Sequence, residues 1–302
     1  MAGRTFYGPF SEKDKNYADS GHANIGRYPL GSRLVLPDER SYRFALNDGT
    51  VEVAGNLYQS VASVAHHLNA TVDTARAAGA TVISATLGAT AAAIDIYAEG
   101  IVHVNDAAGE GYVHRIRRAP VAGDANAAAG TSAVLTVNLV ADESVQVALT
   151  TSSQVTFTRN RFHSVLIHPS PPTAVLAGVS PGVCAANRYY WSQVSGEAAV
   201  LADTATLAGL PLQASITVDG AVENVKRRIR TGSTGVASYT NGAILEDYVG
   251  AETSTVRVSN AAVDATHDIT GPILINAPIV GMCIQPNATT EYCLADLQYL
   301  GW

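Results

Sequence analysis

The fold is decided by residues 27–60, RYPLGSRLVLPDERSYRFALNDGTVEVAGNLYQS. The apolar residues 34–36 run directly into Pro37 and Asp38. This pair predicts a turn, because proline fixes φ and aspartate hydrogen-bonds nearby backbone. Residues 42–46 are then predicted to form a strand. The stretch therefore indicates a strand, a tight turn and a second strand.

A hairpin is predicted directly after that strand. Residues 47–49 read Asn-Asp-Gly, and Asp-Gly is a strong signal for a two-residue hairpin turn. Residues 50–53 are expected to return as the partner strand. Short strand-like segments continue at intervals of about ten residues, separated by turn residues. They lie at 81–87, 101–105, 112–117, 133–139, 144–149, 154–159, 165–168, 182–194, 198–201, 214–218, 222–229, 236–239, 255–258, 273–275, 279–284 and 292–299. This pattern predicts a mainly-β protein of sandwich- or barrel-like domains.

The chain is expected to divide into three parts. Residues 1–26 are polar and contain four aromatic residues without helical or strand periodicity, and they predict an extended N-terminal arm that docks on a neighbour. A disordered tail, or one packed on its own domain, is the alternative. Prolines and polar residues at 169–173 mark a linker, which gives a first β domain at 27–168 and a second at 169–302. The two β domains can also form one continuous unit.

Residues 60–80 are ambiguous between two conformations. Their apolar positions fit one face of an amphipathic helix, whereas their β-branched content favours irregular coil. His66 and His67 lie within this segment. As sequence neighbours they would diverge on a strand or a helix, and both are expected at the surface.

The composition favours a protein that is partly covered by partners. Hydrophobic residues make up 47% of the chain and charged residues 15%, whereas soluble domains carry roughly 25% charged residues. An ordinary secreted-type β protein is the alternative. The net charge of -7 gives no support for a nucleic-acid partner, because DNA binding requires clustered basic residues. The N-terminal residues lack a signal-peptide pattern, and no apolar run reaches the roughly 20 residues that span a bilayer, so no membrane partner is expected.

The three cysteines, Cys184, Cys283 and Cys293, do not form a disulfide framework, because their number is odd and their spacing is wide. Cys283 and Cys293 could pair across a hairpin. Buried free thiols are the favoured interpretation for a protein assembled in the cytoplasm.

No catalytic site is predicted. Ser180 lies in a GxSxG pattern, but Pro181 follows it and the next residues indicate a strand, whereas a nucleophile elbow requires a helix. His103 and His114 are expected opposite each other on paired strands, as a polar pair at a subunit interface or as the start of a metal site. Further ligands are lacking, and phosphate-binding and cofactor motifs are absent from the sequence. We therefore expect a non-enzyme with no cofactor and no metal.

Two further groups of residues are candidates for protein contacts. Lys226, Arg228 and Arg230 would share one face of a strand, either against an acidic patch of a partner or in solvent. Tyr190 lies in an aromatic strand whose two faces are both aromatic, so one face can pack in the core and the other can anchor an interface. In the N-terminal arm the candidate contact residues are Phe6, Tyr7, Phe10 and Tyr17.

Five segments carry a resemblance to a known family. They are LGSRLVLPDERSYRFAL at 30–46, VAGNLYQS at 53–60, ATLGATAAAIDIYAEGIVHVNDAAGEGYVHRI at 85–116, SVQVALTTSSQVTFTRN at 144–160 and RYYWSQVSGEAAVL at 188–201. In order and spacing, the chain resembles structural proteins of tailed bacteriophages, of the capsid decoration or cement type. The resemblance covers over half of the chain.

The resemblance implies a virion protein on the outside of the capsid, assembled in the bacterial host cytoplasm. Its implied partners are the major capsid protein and further copies of itself, as a homotrimer at quasi-threefold sites. The arm would face the capsid, and linked contacts would give avidity. The alternative is a tail-associated or receptor-binding β protein of the virion.

Overall fold

The computed structural model of the protein describes residues 28–118, 133–225, 278–288 and 290–298, together with the backbone course of four strands outside these ranges. The described chain is almost entirely β-structure, with one short 3-10 helix at Ala65–His67. The strands are β1 (Thr5–Tyr7), β2 (Arg33–Val35), β3 (Ser41–Leu46), β4 (Leu57–Gln59), β5 (Ala70–Val72), β6 (Val82–Thr86), β7 (Ile101–Asp106), β8 (Val113–Arg115), β9 (Val134–Asn138), β10 (Gln154–Thr158), β11 (Leu166–Ile167), β12 (Leu176–Val179), β13 (Tyr189–Leu201), β14 (Pro211–Ala214), β15 (Val222–Asn224), β16 (Lys226–Arg230), β17 (Ile244–Tyr248), β18 (Ile273–Leu274), β19 (Ile279–Gln285) and β20 (Tyr292–Leu297). The predicted mainly-β fold of sandwich- or barrel-like sheets is confirmed.

A large sheet of eleven strands forms the first unit. Its main path runs β1-β2-β3-β13-β20-β19-β14-β15, and β4, β11 and β12 attach beside it. The β1–β2 pair is parallel, and the other strand pairs of this sheet are antiparallel. The long strand β13 holds the sheet together, because its first half pairs with β3 and its second half with β20. The two halves meet at a register shift beside Gly196, which has φ +83°.

The turn predicted before β3 is confirmed, but the hairpin predicted after it is wrong. Leu36 and Arg40 close the turn through the Leu36 N–H, which donates to the Arg40 carbonyl at 2.9 Å. After β3 the chain does not fold back on that strand, because β2 and β13 already occupy its two edges. Glu52, in the predicted return strand, instead forms an isolated bridge with Cys184.

A second sheet is inserted into the first. Strand β4 pairs with both β11 and β12, and residues 60–165 lie between β4 and β11. Within that insertion six antiparallel strands follow the order β8-β7-β10-β5-β6-β9. A bridge between Ile116 and Leu139 joins the two edge strands, so the sheet curls back on itself. Because β11 and β12 share the partner β4, strand pairing continues across the predicted domain boundary at 168/169.

Separate hydrophobic cores fill the two units. The inserted sheet encloses one cluster that includes Val102, Leu135 and Phe157. The large sheet packs over two clusters, one aromatic around Phe44 and Trp191, the other aliphatic. Several hydrogen bonds tie the units together, among them those of Leu46 with Phe162 and Val165. The Leu30 backbone N–H donates to Glu99 Oε2 at 2.6 Å, and Arg118 Nε lies 3.0 Å from Glu99 Oε1.

Residues 60–80 contain no helix longer than three residues, so the amphipathic-helix alternative is wrong. The segment instead leads into β5, whose apolar residues enter the inserted core. His66 is exposed as expected, but His67 is buried. The His67 ring is held by the Tyr97 hydroxyl and by the Thr90 carbonyl, which lies 2.9 Å from Nε2. Residues 144–149, predicted as a strand, carry only an isolated bridge from Leu149 to Arg76.

The register predicted for the two histidines is wrong by one residue. Strands β7 and β8 pair Val102 with His114 and His103 with Val113. A one-residue shift moves a side chain to the other face of a sheet. His114 is therefore buried, whereas His103 is half-buried on the opposite face. The two imidazoles cannot form the predicted cross-strand pair or begin a shared metal site.

Candidate contact surface

The outer side of the large sheet carries an apolar face. On β13, β19 and β20 alternate residues point inward, among them Val200, Cys283 and Ala295, and these are buried in the aliphatic core. The intervening residues point outward and are also largely apolar. We call these outward residues the contact face: Ala199, Leu201, Ile279, Met282, Ile284, Tyr292 and Leu294.

Strand register joins the parts of the contact face on β13 and β20. Leu294 is the partner of Ala199, and Tyr292 is the partner of Leu201. On the other side of β20 the partner of Leu294 is Gln285, an exposed polar residue of β19. On β19 Ile284 is 42% exposed and Met282 39% exposed, and Gly281 permits a very close approach to β20, because a Cβ there would lie 2.0 Å from the Asp296 carbonyl oxygen. Three paired strands thus present apolar side chains around a few polar ones.

An acidic pair lies within the contact face. Glu197 on β13 and Asp296 on β20 are register partners, and both lie on the outward side. Asp296 is also the register partner of Met282 on β19, and Ile279 lies beyond that position along β19, so apolar side chains flank the carboxylates. An apolar surface that carries two carboxylates is complementary to an apolar surface that carries arginine or lysine.

Three exposed valines extend the contact face. Val51 and Val53 are 60% and 47% exposed, and Val183 is 74% exposed. We call these three residues the valine rim. The rim adjoins the contact face where Gly55 packs against the Tyr292 ring, since a Cβ on Gly55 would come within 2.5 Å of that ring.

A buried carboxyl lies beneath the valine rim. Glu52, between the two exposed valines, is 1% exposed, and its backbone N–H donates to the Cys184 carbonyl at 2.8 Å. Burial raises the pKa of Glu52 from 4.5 to about 8, and the charge of Asp48 adds to this shift. The hydroxyls of Tyr190 and Ser180 favour the ionised form, but neither reaches hydrogen-bonding geometry with the carboxyl oxygens.

The groups around Glu52 are themselves shifted by burial. Burial raises the pKa of the Cys184 thiol to about 12 and raises the pKa of Tyr58, and Glu52 adds to both shifts. The pKa of Tyr190 is raised for the same two reasons. Near pH 7 Glu52 is therefore protonated, and Cys184, Tyr58 and Tyr190 are neutral.

Tyr190, predicted as an interface anchor, is one of the buried groups around Glu52. Its side chain is 4% exposed, within the aromatic core. In the described structure it offers no surface to a partner. Both faces of the aromatic strand are covered by protein, because residues 189–194 of β13 are all buried.

The other predicted contact residues lie at the margins of the described chain. Phe6 and Tyr7 belong to β1, and Phe10 and Tyr17 lie outside the described residues. Arg228 and Arg230 belong to β16, in a small sheet ordered β17-β16-β18. There the register places Arg228 opposite Glu246 and Arg230 opposite Ile244. The backbone register therefore pairs the middle of the predicted basic run with an acidic position of the same chain.

The side chains that could carry out chemistry are Ser180, the cysteines and the possible metal ligands. Ser180 is buried, and its hydroxyl donates to the Gly182 carbonyl at 2.6 Å. A short bridge and turns follow it up to residue 188, so the strand–turn–helix context of a nucleophile elbow is not formed there. The three cysteines are free and buried, as predicted. Within the described ranges, no group of three or more histidine, cysteine, aspartate or glutamate side chains is arranged to hold a metal ion.

The contact face and the valine rim were not singled out from the sequence, although a signal was present. The segments IVGMCI at 279–284 and YCLADL at 292–297 are apolar at nearly every position. A strand with only one buried face normally alternates between apolar and polar residues. Two adjacent strands that are apolar on both faces indicate a second buried face, and the described residues of this chain leave that face exposed.

Comparison with protein-family models, with curated proteins and with solved structures finds no match to this chain. In the described part of the chain, no helix has the length and apolar character required to cross a membrane.

Proposed function

We propose that this protein is a structural component of a tailed-bacteriophage virion that binds the outside of the capsid. It cements neighbouring capsid subunits, as a homotrimer at quasi-threefold sites, with the major capsid protein and its own copies as partners. It carries out no reaction and uses no cofactor. The proposal rests on the sequence resemblance and on the contact face.

The contact face is the observation that carries the proposal. Large contiguous apolar patches are rare on free monomers and mark surfaces that bind protein or membrane. This patch lies on paired strands, so little side-chain and loop entropy is lost when a partner covers it. Repeated over the symmetric positions of a shell, a modest contact of this kind yields strong retention through avidity.

Composition supports the same proposal. Only 15% of residues are charged, which suits a surface that is covered in an assembly. A tail-associated or receptor-binding protein of the virion would share the β-rich fold. The two functions differ in copy number, because a decoration protein scales with the number of capsid subunits and a tail protein does not.

Co-sedimentation with empty capsid shells of the same phage tests the proposal. The wild-type protein is expected to saturate the shells in a fixed ratio to capsid subunits. Ile284→Lys should weaken binding by about tenfold or more, because it places a charge on an apolar interface. Val113→Lys is the matched control, since Val113 is an exposed valine, 56% accessible, on the inserted sheet.

A protein that leaves the shells unbound at every concentration would contradict capsid binding and favour the tail-associated function. Equal losses of capsid affinity in the Ile284→Lys and Val113→Lys variants would contradict the role of the contact face. Thermal unfolding of both variants should match the wild type, because both substituted positions are exposed.

A further inference from the structure

The N-terminal strand is attached to the large sheet by one edge. β1 pairs in parallel with β2, in the register Thr5 with Arg33, Phe6 with Leu34 and Tyr7 with Val35. It stands at the end of the strand order, with β2 as its neighbour. The pairing is three residues long, and its backbone hydrogen bonds do not depend on which chain supplies the strand.

Strand β2 needs a partner on that edge. Leu34 at its centre is 1% exposed, so its backbone would present unpaired N–H and C=O groups beside an apolar side chain if β1 left. Exposed edges of this kind recruit strands from other chains. The position of β1 is therefore occupied either by the same chain or by another copy.

The connection between the two strands permits both arrangements. A parallel pair cannot be joined by a tight turn, and here residues 8–32 separate β1 from β2. Residues 28–32 are held in the fold, for example by the Gly31 N–H, which donates to the Phe44 carbonyl at 2.8 Å. The residues at 8–27 could span up to about 65 Å if fully extended. A connection of this length allows β1 to pair with β2 of an adjacent copy while the rest of the fold is kept.

We propose that β1 is exchanged between copies of this protein: the Thr5–Tyr7 strand of one copy pairs with Arg33–Val35 of the next. Around a closed ring each copy gives one strand and receives one, which is the low-cost form of association known as domain swapping. The backbone hydrogen bonds between copies replace equivalent bonds within one chain, and each link adds to the retention of the ring. This inference rests on the proposed self-association and not on capsid binding, so the two can fail separately.

A mixed cross-linking experiment tests the exchange. Thr5→Cys and Arg33→Cys are made in separate chains, one of them bearing a size tag, and the two are co-expressed. Register partners in paired strands lie within the Cα separation that a disulfide requires. With oxidised glutathione, the two thiols form one S–S bond and release two protons, and the two electrons reduce glutathione disulfide to two glutathione thiols. The native cysteines are buried, and a tagged and untagged wild-type mixture controls for them.

Strand exchange predicts a covalent dimer of the tagged and untagged chains, as strong as the cross-link in the Thr5→Cys/Arg33→Cys double variant. The result that overturns it is a double variant that cross-links only within one chain while the mixture stays uncross-linked. Failure of both to cross-link also overturns it, because β1 would then not pair with β2 of any copy. Deleting residues 1–7 should in addition lower the solution mass from oligomer to monomer by light scattering. If the cross-linking results are negative but the protein still co-sediments with capsids, strand exchange is contradicted and the proposed capsid binding is not.

Discussion

The two sheets differ in how their edges and apolar faces are covered. The inserted sheet joins its edge strands through the Ile116–Leu139 bridge and encloses one apolar cluster. The large sheet stays open, ends at β1 on one side, and carries apolar residues on both of its faces. A closed sheet hides its edges and needs no partner, whereas an open one must be covered. The surfaces suited to association are therefore concentrated on the large sheet.

The two units are expected to unfold separately when one core is damaged. Phe157→Ala removes a ring that is 1% exposed from the inserted core, and should lower the free energy of unfolding of that unit by about 3–5 kcal/mol. Trp191 lies in the aromatic core of the large sheet. In the Phe157→Ala variant, with Trp302→Phe added so that Trp191 is the remaining tryptophan, unfolding of the inserted sheet should give a first circular-dichroism transition. The fluorescence of Trp191 should change at a higher temperature.

Phe162→Ala is the matched substitution in the large sheet, because Phe162 belongs to its aromatic core. It should lower the temperature of the Trp191 transition. A single coincident transition in both variants would show that the Glu99 link makes the two sheets one cooperative unit.

A second prediction concerns the packing of β12 on β13. Gly178 has φ +129°, and a Cβ there would lie 2.3 Å from Ser192 Oγ and 2.5 Å from the Gln193 carbonyl oxygen. Gly178→Ala should lower the free energy of unfolding by about 3 kcal/mol, through backbone strain and overpacking. Urea denaturation followed by Trp191 fluorescence measures it.

Gly49→Ala provides the control, since a Cβ on Gly49 meets no atom within 4 Å. Its effect should stay within about 0.5 kcal/mol, as for ordinary surface substitutions. Similar losses at the two glycines would contradict the close approach of the strands.

The third prediction is a pH dependence that belongs to the large sheet. The folded protein keeps Glu52 protonated up to about pH 8, whereas in the unfolded chain the pKa of this carboxyl is near its ordinary value of 4.5. The unfolded state then binds fewer protons, so the free energy of unfolding should fall as pH rises from about 4.5 to 8. Glu52→Gln should remove this slope, so its stability relative to the wild type should rise by up to about 4 kcal/mol between pH 4.5 and pH 8.

Urea denaturation at several pH values measures this effect. Glu110→Gln, at an exposed carboxyl of the inserted sheet, should leave the wild-type slope intact. Parallel curves for wild type and Glu52→Gln would show that the carboxyl is ionised and solvated in the folded protein.

Local signals in the sequence predicted local structure well. The turn after residues 34–36 and most strand positions follow from proline, aspartate and apolar patterning. The hairpin at residues 47–53 failed because the edges of β3 are taken by β2 and by β13, which lies over 140 residues further on. Short-range turn chemistry carries no information about such distant competitors for an edge.

The sequence carried a signal for one part of the candidate surface and a misleading signal for the other. Two-sided apolar strands indicated the contact face, but the Val-Glu-Val alternation at 51–53 was misleading. Alternation normally places valine inside and glutamate outside, whereas here Glu52 is buried and both valines are exposed. The bridge to Cys184 fixes this inversion, and a contact 132 residues away in sequence is not visible in local periodicity.

The shared partner of β11 and β12 has a consequence for how this protein can change. The chain leaves the large sheet after Gln59 and returns at Leu166, which is its register partner. Within this stretch, Phe162 and Val165 bond to β3 and pack in the aromatic core, and Glu99 accepts a hydrogen bond from Leu30. Apart from these contacts, the inserted unit can be lengthened, shortened or replaced while the strand pairing of the large sheet is kept, so its outer surface can diversify while the assembling surfaces are preserved.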